Sequence, residues 1–277
     1  SFLAYCTVAL YRLYQHNTFL YRVTQVVPFP IARVGGSFVE YENYLFELRH
    51  YVHYYQNQLE QNFNDDKQQL IDRRQQALQD VITQAYVKKL AKDNKVGVSN
   101  KEVDARIEVV RGQNRLGNNN KVLADVLRNY WGWSISDFKR SLRQQILTEK
   151  VVAKLDTETK QRAESALSQV RGGADFAAVA RQVSDDPEAK NNGGDFGAPI
   201  TRSNPNIPPQ VTEALFKLKP GEVSEIINTG NTLEVLKVVQ SDGNSVTAKH
   251  ISFNLKDIST FIEPVKKKQP PKIYVNF

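Results

Sequence analysis

Apolar residues recur every three or four positions through the first half of the chain and alternate with polar ones near its end. Tyr41, Tyr44, Leu45, Leu48, Tyr51, Val52 and Tyr55 form one stripe of a helix. Leu70, Ile71, Leu78, Val81, Ile82, Tyr86 and Leu90 form a longer one, with Asn64-Asp65-Asp66 as its cap and Lys88, Lys89 and Lys92 near its end. Ser99-Asn100-Lys101-Glu102 has the spacing of a capping box, in which hydroxyl and carboxylate each accept from the other residue's backbone N–H. It opens a helix carrying Val103, Ile107 and Val110. Residues 112–120 read as a loop, and a short helix runs from Lys121 towards Trp131-Gly132. Ser134 to Asp137 repeats the box ahead of Phe138, Leu142, Ile146 and Val151, so residues 37–154 are expected to be nearly all helical.

Upstream, Pro28 and Pro30 break any regular element, and residues 31–40 read as a short extended piece turning at Gly35-Gly36. Ser1 to Tyr11 carry no charge, and Arg12 and Arg22 follow. Eleven residues are too few to cross a bilayer, which takes roughly 20. They read either as the end of a membrane anchor lying mostly upstream of Ser1 or as a buried N-terminal helix. Leu3-Ala4-Tyr5-Cys6 is a poor lipoprotein cleavage site, because Tyr5 is bulky where a small residue is needed.

The pattern changes after Asp156. A helix near 157–171 ends at Gly172-Gly173, and a short one from Asp175 holds Phe176, Val179 and Val183. A turn-rich stretch, 184–210, leads to a helix near 208–217 and a turn at Lys219-Pro220-Gly221-Glu222. Two strands follow, 232–240 and 245–253. The expected class is α+β, with a helical domain followed by a small antiparallel sheet with helices. The expected boundaries are 1–35 for a membrane-proximal segment and linker, 36–155 for the helical domain, 156–254 for the α+β domain and 255–277 for a tail.

Composition narrows the function classes. Apolar residues are 40% of the chain, enough for a core, which excludes a largely disordered protein. A single cysteine, Cys6, excludes an internal disulfide framework and a multi-cysteine metal site. The net charge of +7 comes without an arginine-rich arm or an aromatic–basic RNA motif, so the expected neighbour is anionic lipid or cell wall and not nucleic acid. His50 and His53 lie three apart with no third ligand in view, so no metal is expected. The chain has no nucleophile triad, P-loop or dinucleotide fingerprint, and no cofactor is expected.

Several words of the second half, in order and spacing, carry a resemblance: Asp175-Phe176 with Ala180, Ser184-Asp185-Asp186-Pro187, Gly193-Gly194-Asp195-Phe196-Gly197, Ala214-Leu215-Phe216, and Leu218 to Ser224. This run resembles a parvulin-type peptidyl-prolyl isomerase domain. The helical half, with Val34-Gly35-Gly36 ahead of a helix and the capped helices after it, is similar to the N-terminal chaperone region of SurA-like proteins. The resemblance implies an FKBP-type topology and an extracytoplasmic, membrane-tethered bacterial foldase. Its partners would be unfolded or proline-containing exported polypeptides.

The resemblance comes with two departures. The family's opening strand, roughly A-x-H-I-L, is missing before the helix at 157; Ala248-Lys249-His250-Ile251 stands at the far end instead. Either the domain is circularly permuted, or this strand opens a second domain. A three-residue loop, Ser241-Asp242-Gly243, would pair Gln240 with Asn244 and so place Glu234 opposite His250. The second departure concerns the site. By resemblance Asp186 takes the acidic position and His250 the first histidine, while Glu234 stands where the family has a second histidine. Phe196, Ile207, Val211 and Phe216 map to the proline pocket, with Val211 in place of a usual phenylalanine. The alternative that this implies is a chaperone that binds clients without isomerising them.

Overall fold

A computed structural model describes residues 1–60, 63, 67–113, 116 and 119–277, in two compact units. One comprises Ser1–Ile107, Leu116–Leu147 and Ser259–Phe277; the other comprises Glu108–Arg115 and Thr148–Ile258. The cap expected at Asn64-Asp65-Asp66 and part of the expected loop 112–120 lie outside the described residues. The chain runs through α1 (Phe2–Tyr11), α2 (Thr18–Thr24), β1 (Pro30–Val34), β2 (Ser37–Glu40), α3 (Tyr41–Gln58), α4 (Lys67–Asp93), α5 (Asn100–Gln113), α6 (Asn120–Trp131) and α7 (Ile135–Leu155). Then come α8 (Thr157–Arg171), α9 (Phe176–Val183), α10 (Pro187–Asn192), β3 (Ile200–Thr201), α11 (Pro209–Leu215), β4 (Ile227–Asn228), β5 (Thr232–Ser241) and β6 (Ser245–Asn254). It ends with α12 (Ser259–Lys268) and β7 (Lys272–Ile273).

In the helix-rich first unit both capping boxes form. The Ser99 N–H donates to Glu102 at 2.8 Å and the Glu102 N–H to the Ser99 hydroxyl at 3.3 Å; Ser134 and Asp137 do the same at 2.9 and 3.2 Å. The tyrosine stripe of α3 is core at its N-terminal end: Tyr41 and Tyr44 are buried, and the Tyr41 hydroxyl donates to the Leu10 carbonyl at 2.6 Å.

The unit also holds a three-stranded sheet, order β2-β1-β7, in which β1 and β2 are the extended piece expected at 31–40 and β7 is an addition to the helical expectation. Gly35, at φ +56, makes the turn between β1 and β2. Both ends of the chain are built into this unit: residues 2–11 form a helix with buried Cys6, Ala9 and Leu10, as the second of the two readings of that segment has it, and residues 259–277, expected as a tail, pack here too. Cys6, Ala9, Leu10, Leu20 and Ile31 have no exposed surface. The Tyr86 hydroxyl donates to the Gln269 carbonyl at 2.7 Å, the Tyr274 N–H to Ile31 at 2.9 Å, and Phe277 stacks on Tyr44 at 5.4 Å. Each end segment is too short to show a period of its own, and its apolar residues are buried only by partners distant in sequence. Among the described residues no helix is long and apolar enough to cross a membrane.

The second unit is built on a four-stranded antiparallel sheet, order β3-β6-β5-β4. Strand alternation divides its side chains between two faces. Leu233 and Val235 of β5 and Ile251 and Phe253 of β6 pack on α8 and α9. Leu236, Val238, Val246 and Ala248 turn the other way, against Ile200, Val211 and Leu215. The strand carrying Ala248 to Ile251 lies between β3 and β5, so this sheet takes its A-x-H-I strand from the C-terminal end of the domain.

The hairpin register differs from the expected one. Asp242 organises a tighter turn, its carboxylate accepting from the Asn244 and Ser245 N–H groups at 2.9 and 2.6 Å. Those N–H groups, Ser245 first, hold the Asp242 carboxyl below the usual carboxylate range. Ser241 then pairs with Val246, and a bulge at Val239 re-sets the ladder, so that Glu234 faces Ser252 and Leu236 faces His250. The displacement from the expected pairing is even, so Glu234 and His250 keep a common face as diagonal neighbours.

Candidate active site

His250 lies on the β6 face that carries Val246 and Ala248, with a carboxylate at each ring nitrogen. Its Nε2 is 3.2 Å from Asp186 Oδ2 and its Nδ1 is 3.1 Å from Glu234 Oε2. An imidazolium would satisfy both carboxylates with its two N–H donors. The ring of Phe196 lies flat on the imidazole, centroids 4.2 Å apart and planes at 18°.

Each of these groups is held by local structure. Asp186 is the cap of α10: its Oδ1 accepts the Glu188 N–H at 2.9 Å and Pro187 takes the first turn, leaving Oδ2 for the histidine. One residue earlier, the Asp185 carboxylate grips Arg162 at 3.0 and 2.6 Å and accepts the Asn254 N–H at 2.9 Å. Burial pushes the Asp185 carboxyl up, but Arg162 and the Asn254 N–H outweigh it and hold it below the usual range. The buried Ser184 hydroxyl accepts the N–H groups of Ser252 and Asp186 at 3.1 and 3.3 Å, tying the loop to β6. Glu234, also buried, accepts the Thr232 and Ser252 hydroxyls on Oε1, both at 2.7 Å, which turns Oε2 to His250.

The glycine pair supplies the close approach. The His250 N–H donates to the Gly194 carbonyl at 2.8 Å. Gly194 sits at φ +86, and a Cβ there would lie 2.4 Å from the His250 carbonyl oxygen.

The four apolar positions fall in one cluster. Phe196, Ile207 and Phe216 are partly buried and pack on Val211, Leu236 and Val238. Val211 is only 2% exposed, so it is floor and not wall. The Arg202 guanidinium caps the Phe216 ring at 4.1 Å from its centroid. The structure thus places Asp186, Glu234 and His250 in one chain of polar contacts and Phe196, Ile207, Val211 and Phe216 in one apolar cluster, joined where Phe196 stacks on the imidazole. Ser184, Ser252 and Thr232 escaped sequence reasoning. Two of them were legible: Ser252 is two residues from His250, and Thr232 two from Glu234, each on the same strand face.

Such a site needs no bond to break. Rotation about an X-Pro bond faces a barrier of about 20 kcal/mol because the planar amide is resonance-stabilised. A cup that excludes water from the pyrrolidine ring, beside polar groups that meet the redistributed charge, favours the twisted amide over the planar one.

Comparison with known proteins agrees with both halves. Residues 11–152 match the family model of the SurA-like N-terminal domain, and residues 146–240 that of the PPIC-type PPIase domain. The second match includes Asp186 and Glu234 and stops short of His250, which the sheet brings back to them. The chain is 29% identical over 175 residues to the chaperone SurA of Thiobacillus denitrificans, covering 61% of this chain and 35% of that protein. It is 24% identical over 238 residues to the foldase protein PrsA of Clostridium tetani, covering 73% of this chain and 66% of that one. The chain thus spans about a third of the length of the SurA relative and about two thirds of the PrsA relative. Among solved structures, the foldase protein PrsA of Streptococcus pneumoniae aligns over 87% of this chain and 85% of its own with 18% identity and a TM-score of 0.25, and nothing rests on it.

Proposed function

This chain belongs to the family with a SurA-like N-terminal domain, joined here to a PPIC-type PPIase domain, and from that premise we propose that it is an extracytoplasmic bacterial foldase for exported proteins. The first unit holds unfolded segments, and the second isomerises their X-Pro bonds. Asp186 and His250 are the polar groups beside the rotating amide, and Glu234 positions the imidazole. Phe196, Ile207, Val211 and Phe216 receive the proline ring. The observation that carries this reading is His250 bracketed at 3.2 and 3.1 Å by two carboxylates above an apolar cluster. A place at the membrane surface is supported by α1, which is uncharged and exposes Phe2, Leu3, Tyr5 and Val8.

A second reading, a chaperone without isomerase activity, is favoured by Glu234 in the usual histidine position and by the short Val211. One pair of assays separates the two: protease-coupled isomerisation of a short X-Pro peptide, and suppression of aggregation of an unfolded protein. The first reading requires both activities, with Asp186→Ala lowering kcat/KM at least about tenfold. Suppression without isomerisation establishes the second reading. Absence of both removes the foldase assignment.

A further inference from the structure

The first unit contains a cavity of about 370 Å³ whose walls include Trp131 and Trp133, both of the tryptophans in the chain, with Phe46, His50 and Tyr21 beside them. Each indole is braced by another aromatic ring. Trp133 stacks on Phe46 with centroids 5.8 Å apart and planes at 8°, and Trp131 on Tyr54 at 4.7 Å and 15°. The two indole centroids are 5.9 Å apart, with their planes inclined by 33°. Gly132 makes this possible. It ends α6 in the left-handed conformation at φ +66, and a Cβ there would come within 3.0 Å of the His53 ring. Neither indole is sealed in the core; both remain partly exposed. His50 is a neutral wall near pH 7, because burial pushes its pKa down to about 4.

The fixed charges of the lining are unequal. Asp137 already accepts the Ser134 N–H and hydroxyl at 2.9 and 2.7 Å. Arg49 is engaged, lying over the Tyr21 ring at 5.1 Å and donating to the His16 carbonyl at 3.3 Å, whereas Arg22 is exposed, with no ion pair among the described residues. The cavity therefore offers aromatic rings to an apolar ring and the guanidinium of Arg22 to an anion.

We propose that this cavity docks client segments in which a proline stands next to an acidic residue. A pyrrolidine ring lies well on an indole face. A proline-rich segment is already extended, so little ordering entropy opposes its docking. The neighbouring carboxylate meets Arg22. The inference rests on the reading that the helical unit holds clients, and it states where and by what chemistry. A second proline-holding site on one chain raises the effective concentration of client at the first.

Tryptophan emission of the full chain reports on the cavity directly, because no other tryptophan exists. The probe is a synthetic ten-residue peptide alternating proline and glutamate. Its controls replace every proline by alanine, or every proline by phenylalanine. A saturable change in emission with the proline peptide is expected, with weaker responses to both controls. Arg22→Glu, at an exposed position, should weaken binding about tenfold, and Trp131→Phe should weaken it too, with circular dichroism unchanged. No saturable response, an equal response to either control peptide, or an affinity unaltered by Arg22→Glu overturns the proposal. If these peptides fail while aggregation suppression persists, the holding function stands and the cavity is excluded. If they bind while suppression is absent, the cavity stands and the holding function falls.

Discussion

At the scale of single residues, Gly194 is the most constrained position of the candidate site. Gly194→Ala brings a methyl group to 2.4 Å from the His250 carbonyl and forces a left-handed alanine. It should cost the second unit about 1–3 kcal/mol or more in urea unfolding. His50 gives a pH test. Its folded pKa, about 4, lies below the ordinary value because burial disfavours the cation. Between about 6.5 and that value the unfolded chain binds a proton that the folded chain refuses. The histidine's contribution is therefore complete above about pH 6.5 and falls away as the pH drops towards 4, by about 3 kcal/mol at most. Half-buried Glu47, whose carboxyl is pushed up by desolvation, slopes the opposite way, so the useful quantity is the difference between wild type and His50→Phe. The variant should lose less stability over that window; identical pH profiles would exclude the buried neutral imidazole. The residues of the candidate site were legible because they sit in words whose order is informative, such as Ser184 to Pro187 and Gly193 to Gly197; the role of the Ser184 hydroxyl was not, since nothing in the sequence says that it reaches β6.

At the scale of elements, helices announced themselves through period and caps. Both capping boxes were readable from four residues each, and Ser134→Ala should lower the stability of the first unit by about 1 kcal/mol. The hairpin was harder. Its strands were visible in their alternation, but the register depends on the Asp242 side chain and the bulge at Val239, which no period encodes. The face survived only because the displacement was even. The Asp185 pair that ties α8 to the active loop carries its own pH signature. A carboxyl held below its ordinary value gives stability that is complete above about pH 4 and is lost as the pH falls through the folded value. Arg162→Met should remove part of the acid-side slope in urea unfolding of the second unit; an unchanged slope would show that the pair does not hold the loop.

At the scale of the whole molecule, the two-part organisation was legible from the change of pattern near Asp156, and the borrowed strand from the displaced Ala248 to Ile251. The roles of the two ends were not. β7 has only two residues, and α12 carries a proline and a lysine run, so neither shows the period that would mark it as packed. Their partners are far off in sequence: Ile273 pairs with Ala32, and the Tyr86 hydroxyl that holds Gln269, just past α12, lies 183 residues before it. Truncation after residue 258 should therefore lower the melting temperature of the first unit, through loss of the β1–β7 pairing and the Tyr86–Gln269 bond, while leaving isomerase activity. Loss of isomerase activity with an unaltered first transition would reverse that assignment.

The most direct measurement is exchange NMR of a short X-Pro peptide with catalytic amounts of the protein, wild type beside His250→Ala. The expected result is cis–trans exchange accelerated well beyond the uncatalysed tens of seconds by the wild type, and lost in the variant with its fold intact. Equal acceleration by both proteins would contradict the placement of the reaction at the histidine between Asp186 and Glu234.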